Sequence, residues 1–326
     1  MIVVTGGAGF IGSNIVAALE ERGRGPIAVC DGFDSGKWRN LAKRRLVETI
    51  HPNILLDWLG ARRDIEAIVH MGAISSTTAT DEAETMRVNY HLPLTLWTWC
   101  AAQGVRLIYA SSAATYGDGT QGFDDEFSEA ALARFAPLNL YGRSKQAFDR
   151  EVARLVSAGA KRPPQWAGLK FFNVYGPNEY HKEGQISVAL KNWREAASDG
   201  RAVLFRSHNP KYPDGGQLRD FIWVGDCADV VLWLLDHPSV NGLYNVGTGK
   251  ARSFKELATA VFDAMGREPK IEYVDTPVAI RDKYQYFTEA RMERLRQAGY
   301  GKPFTSLEDG VARYVRDYLG TVDPYR

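Results

Sequence analysis

Tyr141 and Lys145 stand four residues apart in "LYGRSK", a spacing that puts phenol and ammonium on one face of a helix. A phenol with a pKa of roughly 10 is a poor base at neutral pH, and a neighbouring cation lowers that value by stabilising the phenolate. Such a pair suits proton exchange with a substrate hydroxyl. Upstream, "YASSAATYG" ends an apolar run with Ser111 and Ser112. A serine hydroxyl at the carboxyl edge of a parallel sheet, where doubly wound folds bind ligands, can hydrogen-bond a substrate oxygen.

The first residues carry a second chemistry. In "VTGGAGFIGSN", Gly6, Gly9 and Gly12 lie between the apolar run "MIVV" and the helical pattern "SNIVAALEERG". Gly6 allows a tight turn, Gly9 lets the backbone approach a pyrophosphate, and Gly12 lets helix pack on strand. Free N–H groups at the helix start, with the dipole behind them, then face the negative charge. Asp31 closes the next strand, "PIAVCD", where an acid accepts hydrogen bonds from an adenosine ribose and favours NAD. Lys37, Arg39 and Lys43 follow it and can neutralise the 2′-phosphate of NADP. These residues leave both cofactors open.

Strand-like and helical stretches alternate through the first half. Strands are expected in "AIVHMGA", "VRLIYASS" and "LKFFNVYG", and helices over Asp81 to Gln103 and Leu140 to Ser157. Strict alternation implies right-handed crossovers and a parallel sheet covered on both faces. The expected fold is α/β, a Rossmann-type doubly wound parallel sheet with a smaller α/β substrate-binding domain. Residues 1–172 plus about 217–247 form the dinucleotide-binding part, and about 173–216 plus 248–326 the substrate-binding part.

Composition excludes other classes. Lys+Arg is 40 and Asp+Glu 39, which gives no bulk reason to expect nucleic acid or an anionic membrane as partner. Cys30, Cys100 and Cys227 form no C-x-x-C pair, which fits a reducing compartment better than a disulfide framework or a metal site. No leader is expected, since the first strand starts at once, and "VVLWLLDHP" falls short of the roughly 20 residues that span a bilayer. A cytoplasmic protein is expected. Trp58, Trp97, Trp99, Trp166, Trp193, Trp223 and Trp233 read most simply as packing residues.

The glycine run, Asn89, "SSAATYG" and "YGRSK" together resemble the extended short-chain dehydrogenase/reductase superfamily, which acts on nucleotide sugars. "FFNVYGPNEYHKEG", "LRDFIWVGDCADV" and "KYQYFTEARMERLRQAGYGKPF" narrow the resemblance to the ADP-L-glycero-D-manno-heptose 6-epimerase family. It runs from the first residue to near the C-terminus and is weakest between about 35 and 65.

The resemblance implies roles. Tyr141 matches an acid/base, Lys145 the cofactor-binding lysine, Ser112 the accompanying hydroxyl, and Lys182 a second acid/base. Cofactor contacts fall on Gly6, Gly9, Phe10, Ile11, Gly12, Asp31, Gly32, Lys37, Met71, Gly72, Ala73, Asn89, Lys145, Val174 and Lys182. Substrate contacts fall on Ser75, Ser112, Asn173, Gly184, Lys191, Phe205, Arg206, Ser207, His208, Arg219 and Tyr284, with Arg219 suited to the ADP phosphates. The family's usual serine and histidine stand here as Gly184 and Lys191, and the loop "RSHNPKYPDGGQ" is longer. NADP is the implied cofactor, with NAD the alternative. An ADP-heptose substrate and a homo-oligomer, a pentamer by resemblance, are implied as well.

The implied reaction is inversion at C6″ through transient oxidation. A 4,6-dehydratase typically carries an Asp-Glu pair just after its Ser/Thr, and "SSAATYGDGT" has none. A 4-epimerase is the other relative in view. A protein that only senses NAD(P) tends to lose the tyrosine or the lysine, and both are present.

Overall fold

The computed structural model describes residues 1–32, 36–182, 184–281 and 284–326. Short runs of branched apolar residues make a seven-stranded parallel sheet: β1 (Ile2–Thr5), β2 (Ile27–Cys30), β3 (Glu48–Ile50), β4 (Ala67–His70), β5 (Arg106–Ser112), β6 (Trp166–Phe171) and a strand at Gly242–Val246. In spatial order, β3, β2, β1, β4, β5 and β6 are followed by Gly242–Val246. All residues of β1, β2 and β4 are buried, as a strand covered on both faces requires.

Helices supply that cover. Phe10–Glu21 and Val224–Asp236 pack one face through Ile15, Leu19, Val231 and Leu234. Leu92–Gln103 and Leu140–Ser157 pack the other through Leu96, Trp97, Phe148 and Val152. Each such side chain contributes about 1.5–3 kcal/mol, so this burial fixes the sheet's position. The chain runs outward from β1 to β3, then crosses to β4 and beyond. The carboxyl ends of β1 and β4 therefore flank the switch point where such sheets open a crevice.

The α/β Rossmann-type sheet is as the alternation predicts, two local readings differ, and one edge strand is new. The chain from Asp81 to Gln103 is not one regular helix. It widens into a π-turn over Arg87–His91, where the Leu92 N–H reaches back five residues to the Arg87 carbonyl. Pro93 follows and has no N–H to continue the α pattern. "LKFFNVYG" is two strands. Phe171 ends β6, and Asn173–Tyr175 pairs with Phe221–Trp223 in a separate parallel ladder. This departure sends Asn173 and Val174 to the cleft. The edge strand β3 has too few apolar residues to show as a strand in the sequence.

Past the sheet lies a smaller α/β layer. Ala202–Phe205 runs parallel to Ile271–Val274, and the helices Val188–Ser198, Phe254–Ala264 and Leu307–Arg313 enclose Tyr175, Leu190, Phe221, Trp223 and Val261. Among the described residues no helix is long and apolar enough to cross a membrane, and no cluster of three or more His, Cys, Asp or Glu stands ready for a metal. Cys30, Cys100 and Cys227 are free and buried, and burial pushes the Cys30 and Cys100 thiols up to about 12.

Candidate active site

A cleft of about 1200 Å³ opens at the carboxyl edge of the sheet. Its nucleotide end is built from the glycine loop. Gly6 has φ +64°, and a Cβ there would lie 2.5 Å from the Gly72 nitrogen. Gly9 caps the helix Phe10–Glu21 without a side chain to satisfy the first-turn N–H groups, so those donors face the cleft. Asp31 is buried, and its carboxylate accepts from the Ala8 N–H at 3.0 Å and the Gly32 N–H at 2.8 Å. Lys37 Nζ stands 3.4 Å from it. Gly6, Gly9, Phe10, Ile11, Gly12, Asp31 and Lys37 line the cleft, as do Met71, Gly72, Ala73 and Ser75 after β4. Gly32 acts through its bond to Asp31.

The next wall carries the tyrosine. The Asn139 side chain accepts from the Gly142 N–H at 2.8 Å and starts the helix Leu140–Ser157, which puts Tyr141 in the first turn. Close packing holds that turn to the loop after β5, because a Cβ on Gly142 would lie 2.6 Å from the Ala114 carbonyl oxygen. Ser112, Tyr141 and Lys145 line the cleft together. Burial raises the Tyr141 phenol, and the Ser112 hydroxyl beside it pulls the other way. Lys145 Nζ donates to the Ala110 carbonyl at 3.0 Å, and desolvation lowers it to about 8 against the attraction of Asp149.

Lys182 enters from a different element, the loop after Asn173–Tyr175, with Asn173, Val174 and Gly184 on the same cleft. Its ammonium lies 5.4 Å from the Phe10 ring centroid. Burial lowers its pKa, and Glu179 opposes that. The Glu179 carboxylate gathers the loop by accepting from Ser187 Oγ at 2.6 Å, from the Ser187 N–H and from Tyr314 Oη at 3.0 Å. His181 is held to about 4 by burial and the cations Lys37 and Lys182.

Other sequence candidates stand apart. Asn89 is fully buried behind the wall, where its amide bonds both backbone groups of Ile74 and Ser144 Oγ. It shapes the cleft without lining it. Lys191 Nζ donates to the Val203 carbonyl at 2.9 Å and pairs with Glu195 at 2.6 Å, away from the cleft. Phe205, Arg206, Ser207, His208, Arg219 and Tyr284 stand outside the cleft lining. The Phe205 and Tyr284 rings lie 6.3 Å apart, Arg206 faces Asp275, and the His208 N–H donates to Tyr286 Oη. Arg219 is buried, and its guanidinium sits 5.5 Å from the Phe254 ring and 5.6 Å from Tyr284. Phe254 also lines the cleft and so joins Arg219 to it. Phe254 and Gln185 carry no motif, and only the fold brings them here, whereas His181 belongs to the H-K pair of "NEYHKEG".

The sequence profile of the NAD dependent epimerase/dehydratase family matches residues 2–247. An ADP-L-glycero-D-manno-heptose-6-epimerase of Nitratidesulfovibrio vulgaris is 51 % identical over 329 residues, covering 100 % of both chains. One from Fusobacterium nucleatum is 42 % identical over 335 residues, again covering 100 % of each. The chain belongs to this epimerase/dehydratase family, among its ADP-L-glycero-D-manno-heptose-6-epimerases. The crystal structure of the Helicobacter pylori ADP-L-glycero-D-manno-heptose-6-epimerase superposes with a TM-score of 0.81 at 28 % identity, covering 97 % of this chain and 95 % of that one. A Thermus thermophilus UDP-glucose 4-epimerase in complex with NAD gives 0.74 at 27 % identity, covering 98 % and 99 %.

A nicotinamide cofactor goes with this family, and the epimerase's cleft fits one. The glycine cradle leaves no room for a Cβ at Gly6 or Gly12, its helix start is uncapped, and Asp31 ends β2 where a ribose would lie.

Proposed function

We propose that this cleft inverts C6″ of ADP-D-glycero-D-manno-heptose to give ADP-L-glycero-D-manno-heptose, with Tyr141 and Lys182 as its two acid/bases. A C–H on an unactivated alcohol carbon is not lost as a proton, so direct deprotonation is closed to the protein. A nicotinamide dinucleotide held by the glycine loop and Asp31 would supply the way around, as acceptor and then donor of the C6″ hydride. Tyr141 exchanges the hydroxyl proton in one orientation, with Ser112 hydrogen-bonding the same oxygen and Lys145 stabilising the phenolate. C6″ is exocyclic, so a turn about C5″–C6″ presents its second face while Arg219 keeps the ADP phosphates anchored. The oxygen then lies elsewhere, and Lys182 exchanges its proton there. Burial lowers Lys182 and so favours the neutral amine that a base needs.

The observation that supports this most is that Tyr141 and Lys182 reach one cleft from unconnected elements. Two orientations of one oxygen need two proton acceptors. Lys37 beside Asp31 favours NADP over NAD. On this reading residues 1–172 with about 217–247 hold the cofactor and the remainder the sugar nucleotide. The protein works in the cytoplasm as a homo-oligomer, a pentamer by family resemblance, which light scattering measures. Incubation with ADP-D-glycero-D-manno-heptose and chromatographic separation of the two epimers tests the reading. Formation of the L,D epimer supports it, and unchanged substrate refutes it.

A further inference from the structure

Behind the catalytic wall lies an ion pair with no solvent exposure. Lys170, on β6, stands 3.2 Å from Asp149, on the helix Leu140–Ser157, and both side chains are 0 % exposed. Asp149 follows Lys145 by one helical turn, as Lys145 follows Tyr141, so the three share a face. The same carboxylate accepts from Ser111 Oγ at 2.6 Å, and its second oxygen is buried without a partner. Lys170 Nζ also donates to Thr115 Oγ1 at 2.5 Å, and Thr115 donates to the Ser112 carbonyl at 2.8 Å. One buried cluster thus grips the helix of Tyr141 and Lys145 and the strand end of Ser112.

We propose that Asp149 is the positioning residue of this wall: held by Lys170 and Ser111, it fixes the helical turn that carries Lys145 and acts on the ammonium by its charge from one turn away, registering it with Tyr141 and Ser112. The inference rests on the reading of Tyr141 and Lys145 given above. Burying a charge without a partner is costly, and an isolated Lys145 would shed its proton. Tyr141 and Asp149 lie on its own helix and the Ala110 carbonyl on β5. His70, on β4, has an unpartnered buried Nε2, and burial with the Lys145 charge lowers it to about 3. Of these, Asp149 alone attracts a cation by its charge, and it raises the affinity of Lys145 for its proton.

The test is a titration of Lys145 in the cofactor-loaded protein, read by NMR of 13Cε-labelled lysine and assigned through Lys145→Arg. Asp149→Asn strands the Lys170 charge and can prevent folding, so the informative variant is the neutral pair Asp149→Asn/Lys170→Met. The expected result is a fall in the Lys145 midpoint of about one pH unit or more, with the alkaline limb of kcat moving down by the same amount and KM little changed. A folded double variant whose midpoint and limb stay within about 0.3 unit of the parent overturns the inference. A purely structural pair would give that result. If the parent protein fails to epimerise ADP-D-glycero-D-manno-heptose, the functional reading falls, and the NMR midpoint still decides the role of Asp149.

Discussion

A Cβ on Gly12 would lie 2.1 Å from the carbonyl oxygen of Gly6. The first turn of the helix Phe10–Glu21 is seated directly on the glycine loop, and this contact aims its free N–H groups into the cleft. Gly12→Ala must push helix and loop apart, at a cost of about 1–3 kcal/mol. The variant is expected to melt earlier and to purify with little or no bound nicotinamide. Calorimetry and the absorbance of released cofactor measure the two effects.

The glycine loop was legible because its constraint is steric and local, as was the Tyr141–Lys145 pair, which needs only helical spacing. The parallel sheet followed from alternation alone. Asp149 and Lys170 give no joint signal in the sequence because they are 21 residues apart on different elements, and each alone looks like an ordinary surface charge. Lys182 was reached through family resemblance, since a lysine in a polar loop has no spacing signal. Lys191 shows the reverse: its position matched a substrate contact, and the fold gives its ammonium to Val203 and Glu195.

Lys37 and Asp31 meet at the adenosine end of the cleft, 3.4 Å apart. If Lys37 receives the 2′-phosphate, Lys37→Met should weaken NADP by about tenfold and leave NAD almost unchanged. Fluorescence titration of the cofactor-free protein with each dinucleotide checks this. Equal losses for both would assign Lys37 to the carboxylate of Asp31 alone.

His70 offers a pH test of the buried wall. Its ring is 1 % exposed, Nδ1 meets Thr5 Oγ1 at 2.6 Å, and burial together with Lys145 lowers it from 6.5 to about 3. The unfolded chain therefore binds a proton near pH 6.5 that the folded chain refuses until about pH 3. The resulting stability is complete above pH 6.5 and is lost as pH falls through that window, by about 1.4 kcal/mol per unit. His70→Asn should remove this dependence. Urea unfolding of both proteins between pH 7 and pH 5 gives converging stabilities if the assignment holds.

Tyr141→Phe and Lys182→Met remove the two proposed acid/bases one at a time. Each is expected to lower kcat by about 10²–10⁴ while leaving fold and bound nicotinamide intact. A mixture of the two proteins should still disproportionate a C6″-aldehyde analogue, because each retains one working side. Full epimerase activity in Lys182→Met would mean that Tyr141 serves both orientations.

Inversion by transient oxidation requires that one hydrogen leave C6″ as hydride and come back without meeting water. Turnover of ADP-D-glycero-D-manno-heptose in D2O, followed by NMR of the separated epimers, examines that hydrogen directly. Retention of protium at C6″ in both epimers after equilibrium is the predicted result. Deuterium at C6″ would mean exchange through a solvent-borne proton, and would contradict inversion by transient oxidation in this cleft.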